Sequence, residues 1–502
     1  MTRLRFARKA VVSATLLALL AGCGINAEER PVESKAAPTE PESEVTEEAS
    51  ATTLTTGQTV ESKEPVGGAP TYNYAPTALL DRGVYGLWWC GSAGDPLGDD
   101  AAHGVSKDPN GPFLGKGAAT AVAALSGTGR DGDFDSMHVC DPNVMRVDDT
   151  YYMYYTGSLG GQADWGRNQI GLATSVDGET WERANKGRSV LTQSGVIDRG
   201  DSSYGTGQPA AAYKDGWYYV LLTDKSAAGS SASVGGGQFL QRSKDPAFTR
   251  GVEILTEKGF EPTSTPSSPR TYSLIQAFSV DFAWFEALDA WGIAHQVPDG
   301  TQVTFFSEDF ASRPYEPLII PGAWKEGPGF LRTFEGRIPV STSDPCGTVP
   351  VTVYRSSENT ETNHPTALRR FATEIENVDG CGSTEEALEL LEGTAIPVQG
   401  NSTAYDLVSD GRLIRVADGE IAQRSAVQVL ETRPQVLSGV SPEATVPLSA
   451  ELVTNGEETG LLDGKTLYRI RGAATFVAPP DVHVRAVGQA EWQSYAPGAT
   501  LG

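Results

Sequence analysis

Three carboxylates in this sequence stand where strands open: Asp141 before Pro142, Asp281, and Glu326 before Gly327-Pro328. The corresponding places elsewhere carry Gln208-Pro209 and Ala75-Pro76. Gathered into one partly desolvated pit, three acids suit cleavage of a glycosidic bond by water. One protonates the leaving oxygen, one activates water, and a third tunes both. Like charges in such a pit push their pKa values apart, so one carboxyl keeps its proton while its neighbour stays ionised. An inverting pair needs about 6.5 to 9.5 Å between carboxyls to admit the water. The plainer role for an acid at a strand start is to accept backbone N–H bonds there.

Other polar residues fall close by. His138 lies three residues before Asp141, and His295 follows the strand that Asp281 opens. Either would touch substrate or help to hold an axial metal. Tyr204 and Gln208, with Asp201 and Arg199 in the preceding loop, are substrate-contact candidates. Trp88, Trp89 and Trp165 offer aromatic faces for sugar rings, although strand aromatics of this kind are mostly core.

Acids this far apart in sequence converge only if a repeated element brings strand starts to one axis. The stretch from Asp141 to Ala184 supplies that element. Val144, Arg146 and Tyr151 to Tyr155 are β-formers on either side of an Asp148-Asp149 turn. A third strand runs through Ile170 to Thr174, then come an Asp177-Gly178 turn and a closing Thr180-Trp181. This four-stranded meander is one propeller blade. The same grammar recurs from Val84, from Gln208, from Asp281 and from Glu326, giving five units spaced by about 45 to 70 residues, each too small to bury its faces alone. The expected fold is all-β: a five-bladed β-propeller over 71–380, then a small β-rich C-terminal module over 381–502. In that module Ser383 to Glu386 reads as a capping box opening a helix that stops at Gly393. Segments from Asp410 and Asp463 match as two copies of a strand-turn-strand unit.

The Asp141-Pro142-Asn143-Val144 opening, the IGLATSVDGETW strand and turn, and Glu326-Gly327-Pro328 resemble glycoside hydrolase family 43 and its relatives, over about Tyr72 to Phe371. The resemblance implies a five-bladed glycosidase with Asp141 as general base, Asp281 as tuning group and Glu326 as general acid. It implies a polysaccharide or oligosaccharide substrate, no required cofactor, and room for a structural calcium ion on the axis. In that family the base belongs to the first blade, where this chain has Ala75. The site is therefore turned by one blade, or the propeller binds glycan or protein partners without cleaving them. A phosphorolytic or transferase variant would need a basic phosphate site, for which Arg167 and Arg199 are the candidates. Ser175 to Trp181 also resembles the Asp-box turn of sialidases, one residue short. Gly205 to Ala210 leads into a strand, which excludes a dinucleotide loop, and no GxSxG elbow occurs.

The N-terminus predicts a body outside the cell. Arg3, Arg5, Arg8 and Lys9 precede an apolar run from Ala10 to Leu20, and then comes Leu20-Ala21-Gly22-Cys23. This is the layout of an export signal, too short to span a bilayer, whose ending is similar to a bacterial lipobox. Cys23 is the expected lipid attachment point on the outer face of the membrane, and 24–70, poor in large apolar residues, reads as a disordered tether. A formal net charge of -25 argues against nucleic acid as a partner. The remaining cysteines, Cys90, Cys140, Cys346 and Cys381, are even in number, which in an exported chain reads as two disulfides. The sequence-local pairing joins Cys90 to Cys140 and Cys346 to Cys381.

Overall fold

The computed structural model describes residues 51–67, 72–92, 98–159, 167–196, 204–230, 237–359, 365–472 and 475–502. Cys23, Trp165, Arg199 and Asp201 lie outside the described residues.

Antiparallel sheets succeed one another around a ring, each a meander whose first strand is innermost. Blade one comprises Asn73–Asp81, Val84–Gly91, Asp100–Ser106 and Val122–Leu125. Blade two comprises His138–Val147, Thr150–Ser158, Gln169–Ser175 and Glu182–Arg183. Blade three comprises Thr206–Lys214, Trp217–Asp224, Gln238–Ser243 and an added hairpin, Glu253–Thr256 with Gly259–Pro262. Blade four comprises Val280–Phe285, Ala290–Val297, Gly300–Phe306 and Leu318–Pro321. Blade five comprises Glu326–Arg332, Thr348–Asn359 and Pro365–Glu376. Neighbouring inner strands pack in order. The ring closes where blade five meets blade one in a parallel pair, Leu331 opposite Ala78 and Arg332 opposite Leu79.

The segment expected to be tether as far as residue 70 takes part in this closure. Thr55–Thr56 and Val60–Glu61 pair with the outer strand of blade five and supply its missing edge. Val66 is fully buried against Trp89, Leu87 and Phe113 of blade one. The composition of 24–70 hid this because an edge strand needs backbone pairing more than apolar side chains, and here a single buried valine fastens it.

Local chemistry repeats from blade to blade. Tight turns between first and second strands use residues that accept positive φ, such as Arg82-Gly83 and Asp215-Gly216. A Ser-x-Asp turn ends the third strand in four blades. In each, the Asp Oδ1 accepts the amide two residues on: Asn110 to Asp108 at 2.8 Å, Glu179 to Asp177 at 2.9 Å, Ala247 to Asp245 at 3.1 Å and Ala311 to Asp309 at 3.0 Å. The Asp-box-like motif read at one place is thus the fullest copy of a general blade turn. Apolar clusters fill each seam between blades, with Trp88 and Trp89 in the core. Burying each large side chain stabilises the ring by about 1.5 to 3 kcal/mol.

Beyond the ring, Ser383 caps a helix, Thr384–Leu390, by accepting the Glu386 amide at 3.2 Å. Two five-stranded sheets come next with the same topology: a three-stranded meander flanked on each side by a parallel strand. The hairpins expected at Asp410 and Asp463 form the middle of each. The module docks where the inner strands end. There Arg82 reaches Thr475 of the module at 2.6 Å, and Arg146, which pairs with Asp81 at 2.6 Å, reaches the same hydroxyl at 3.4 Å. Disulfides join Cys90 to Cys140 across blades one and two, and Cys346 to Cys381 between blade five and the module.

Candidate active site

Four of the five inner strands begin with the same irregularity. Ala75, Asp141, Gln208 and Gly327 each precede a proline, take φ of 44°, 49°, 52° and 50°, and sit at a slip in the strand register. Proline has no N–H to leave unpaired at such a bulge, and the left-handed φ is one that glycine adopts freely, that Asp tolerates better than most residues and that Ala and Gln adopt at a cost. Gly327 has a second reason to be glycine: a Cβ there would lie 2.7 Å from Ala75 Cα. These bulges meet at the axis and leave a void of only about 10 Å³, room for about one water.

The alignment of acids differs from the one the sequence suggested. Asp141 corresponds to Ala75, Gln208 and Gly327, so Glu326 stands one residue earlier, level with Tyr74, Cys140 and Gly207. Blade four lacks the proline and keeps regular register through Asp281 opposite Ala294.

Asp281 is buried and fully engaged. One oxygen accepts Asn143 Nδ2 at 3.0 Å and the Phe282 amide at 3.0 Å, and the other accepts the Phe330 amide at 2.7 Å. Arg332 Nη1 lies 3.4 Å away. The Arg332 guanidinium, itself fully buried, also donates to the Thr77 hydroxyl of blade one, to Asn143 Oδ1 at 3.1 Å and Val144 O of blade two, and to Ala211 O of blade three at 2.8 Å. It thereby touches every inner strand. The residues at this level do not fit the axial calcium ion that the resemblance allowed, because a guanidinium already supplies the central positive charge.

Asp141 and Glu326 form the opposite case. Asp141 is 5 % exposed, and its Oδ1 has no hydrogen-bond partner among the described residues. Burial pushes its carboxyl up to about 7; bonds from Thr156 and Gln208 draw it partway back, and the Asp99 charge adds to the rise. Glu326, half-buried, is pushed up to about 8 by desolvation and by the charges of Asp141 and Asp99. No arginine or lysine figures among the main influences on either group.

Phenols surround the pair. Burial raises the pKa values of Tyr72, Tyr74 and Tyr204, and the charges of Asp141 and Glu326 act on all three in the same direction. Tyr74 Oη lies 2.9 Å from Cys140 Sγ, which packs it beside the Cys90–Cys140 bridge. Gln208 lies in this cluster, its backbone amide donating to Thr156 Oγ1 at 2.9 Å. Tyr204 is part of it too, with its ring edge-on to Phe278 at 5.1 Å. His138 Nδ1 accepts the Asp99 amide at 3.2 Å, which places it at the rim. His295 is elsewhere, opposite Val280 on blade four's second strand, with Nε2 3.5 Å from Thr304 Oγ1.

Sequence reading missed Asp99, Tyr72, Tyr74 and Thr156. The tyrosines sit just before the Ala75-Pro76 bulge, so reading one to three residues upstream of each X-Pro would have found them. Asp99 lies in a connection within blade one and carries no motif. Among the described residues, Cys90, Asp99 and Cys140 bring potential metal-binding atoms within 4.8 Å of one another, but both sulfurs belong to a disulfide.

No protein-family model and no curated protein matches the chain. Solved structures do. A family 117 glycoside hydrolase from Zobellia galactanivorans aligns over 64 % of this chain and 92 % of its own, at 11 % identity and a TM-score of 0.45. The catalytic domain of a GH62 α-L-arabinofuranosidase from Coprinopsis cinerea aligns over 65 % and 99 %, at 9 % identity and 0.40. A GH32 β-fructofuranosidase from Bombyx mori aligns over 69 % and 70 %, at 12 % identity and 0.41. The chain is similar to these propeller glycosidases only at that level, and its functional reading rests on its own residues.

Proposed function

We propose that the propeller is a glycoside hydrolase that uses Glu326 as general acid and Asp141 as general base in an inverting displacement by water. Glu326, holding its proton at neutral pH, passes it to the leaving oxygen as the glycosidic C–O bond breaks. Asp141 takes a proton from the water whose oxygen bonds to the anomeric carbon. The two carboxyls then exchange protons with solvent to reset. The observation that carries this reading is a buried acid beside a half-buried one, both desolvated and both under the charge of Asp99, without a counter-cation among the described residues, and with an unpartnered oxygen on Asp141. A structural acid would be answered, as Asp281 is. Ala75 takes the place of an acid on blade one, so the pair spans blades two and five.

Asp281 acts in this scheme as a positioning residue. Its bond to the Phe330 amide fixes the strand that begins at Glu326. Asp99 is the third carboxylate that bears on both members of the pair. The substrate class is a polysaccharide or oligosaccharide of the envelope or surroundings, reached from a membrane anchor on Cys23. Replacing Cys23 by Ser should shift the protein from the membrane fraction to the soluble one.

The test is hydrolysis of a panel of aryl pentofuranosides and pyranosides by the full chain, alongside Asp141→Asn and Glu326→Gln. Each substitution should lower kcat by about 10²- to 10⁴-fold. Activity that survives both would refute the assignment. Any trimmed version should begin at Ser50, because a start at residue 69 would remove the edge strands of blade five.

A further inference from the structure

A second cavity lies far from the axial acids. It is a cleft of about 1070 Å³ between blades three and four. Inner strands run away from the acids, and the cleft is lined by residues just past the far ends of strands: Asp289 in the turn after blade four's first strand, and Phe310 in the turn after its third. Its other wall is the hairpin Glu253–Thr256 with Gly259–Pro262; the first of these is the blade's fourth strand, and the second is a fifth that among the described residues has no counterpart in the other four blades.

Its aromatic rings are preset. Phe260 is held under the Arg242 guanidinium, 3.9 Å from the ring centroid, and Arg242 is tied to Glu253 at 2.7 Å. Buried Phe310 forms the floor, stacked on Trp291 at 5.7 Å. Tyr315 donates its hydroxyl to Leu288 O at 3.1 Å, and Tyr272 lines the cleft half-exposed. Two of the four lining acids have a side-chain partner among the described residues. Glu308 meets Lys214 Nζ at 2.8 Å, and Asp309 accepts the Ser307 hydroxyl at 2.7 Å. Glu257 and Asp289 have no ion pair among the described residues, and Lys258 is the one unpaired cation of the lining, so the cleft is acidic on balance and repels a polyanion. Half-exposed rings fixed by neighbours, with hydroxyls and carbonyls between them, suit the apolar C–H faces and hydroxyl edges of sugars.

We propose that this cleft is a second glycan-binding site, which takes a neutral oligosaccharide segment independently of the axial acids. It would hold a polymer against the protein while the axial site works on another part. The proposal does not depend on the hydrolytic reading.

Affinity electrophoresis of the full chain through gels containing soluble arabinan, galactan, xylan or mixed-linkage glucan tests it, with polygalacturonate and polylysine as charged controls. At least one neutral glycan should retard the wild-type protein. Phe260→Ala and Tyr272→Ala should each weaken that retardation about tenfold, the scale of one lost aromatic contact. Phe260→Tyr should keep it, as should Asp141→Asn, and the melting temperatures of the cleft variants confirm that they fold. Hydrolysis of small aryl glycosides should be unaffected in the cleft variants, so failure of the cleft is distinguishable from failure of the axial reading. Retardation by no neutral glycan, loss of retardation in Asp141→Asn with the cleft variants unchanged, or retardation only by polylysine would each overturn the proposal.

Discussion

Two sets of buried acids occupy successive levels of one axis and are treated in opposite ways. Asp281 receives three hydrogen bonds and a guanidinium, and its partner Arg332 joins all five inner strands. Asp141 and Glu326, at the strand starts, are raised chiefly by desolvation; the Asp99 charge acts on both, and the Asp141 charge acts on Glu326. The first arrangement is one a fold needs, since a buried charge without a partner is among the most destabilising features a protein can carry. The second withholds stability at the place where the proposed reaction would hold and release a proton near neutral pH.

Breaking the compensated level should have the largest effect. Arg332→Met strands Asp281 and frees bonds in all five blades, and should destabilise the protein by about 3 to 5 kcal/mol in urea unfolding. The double variant Arg332→Met with Asp281→Leu should be less destabilised than the two single changes summed, because neither charge is left alone. Additive losses would show that the pair is not coupled.

Relieving the uncompensated level should act in the other direction. Both carboxyls titrate above their ordinary range, so the folded state holds these protons more tightly than the unfolded chain does. The resulting stability is complete below about pH 4 and is lost as pH rises through about 7 for Asp141 and about 8 for Glu326. Asp141→Asn and Glu326→Gln should therefore raise stability at pH 9 by about 2 kcal/mol each while leaving it nearly unchanged at pH 4. Equal gains at both values would mean that the acids are not raised.

The same groups frame the activity. Hydrolysis should need Asp141 ionised and Glu326 protonated, which gives a bell with limbs near pH 7 and pH 8. The smallest effect expected is from Asp99→Asn. It removes a like charge from both groups and should move both limbs down by about half a unit with little change in the maximum. A profile that Asp99→Asn leaves in place would confine Asp99 to holding His138.

Much of this molecule was legible because blades are local. The meander in blade two could be traced from its turns, and the helix after Ser383 from its cap. Asp141 and Glu326 could be picked out because each stands at an X-Pro or Gly-Pro strand start. Other features escaped for identifiable reasons. Thr55 to Val66 looked like tether because its contribution is backbone pairing to a strand more than 300 residues away. Asp281 looked equivalent to Asp141 because a one-residue bulge is invisible in a motif, yet Asp281, in regular register, meets Arg332 while Asp141, at a bulge, does not.

The sequence by itself determined the repeated strand pattern, the turns that divide it and the presence of three acids at strand starts, since these depend on neighbours within a few residues. Only the tertiary structure decided how those acids are used. Ring closure brought Arg332 to Asp281 and left Asp141 with Glu326, and electrostatic compensation depends on distance in space, which no spacing in the chain records.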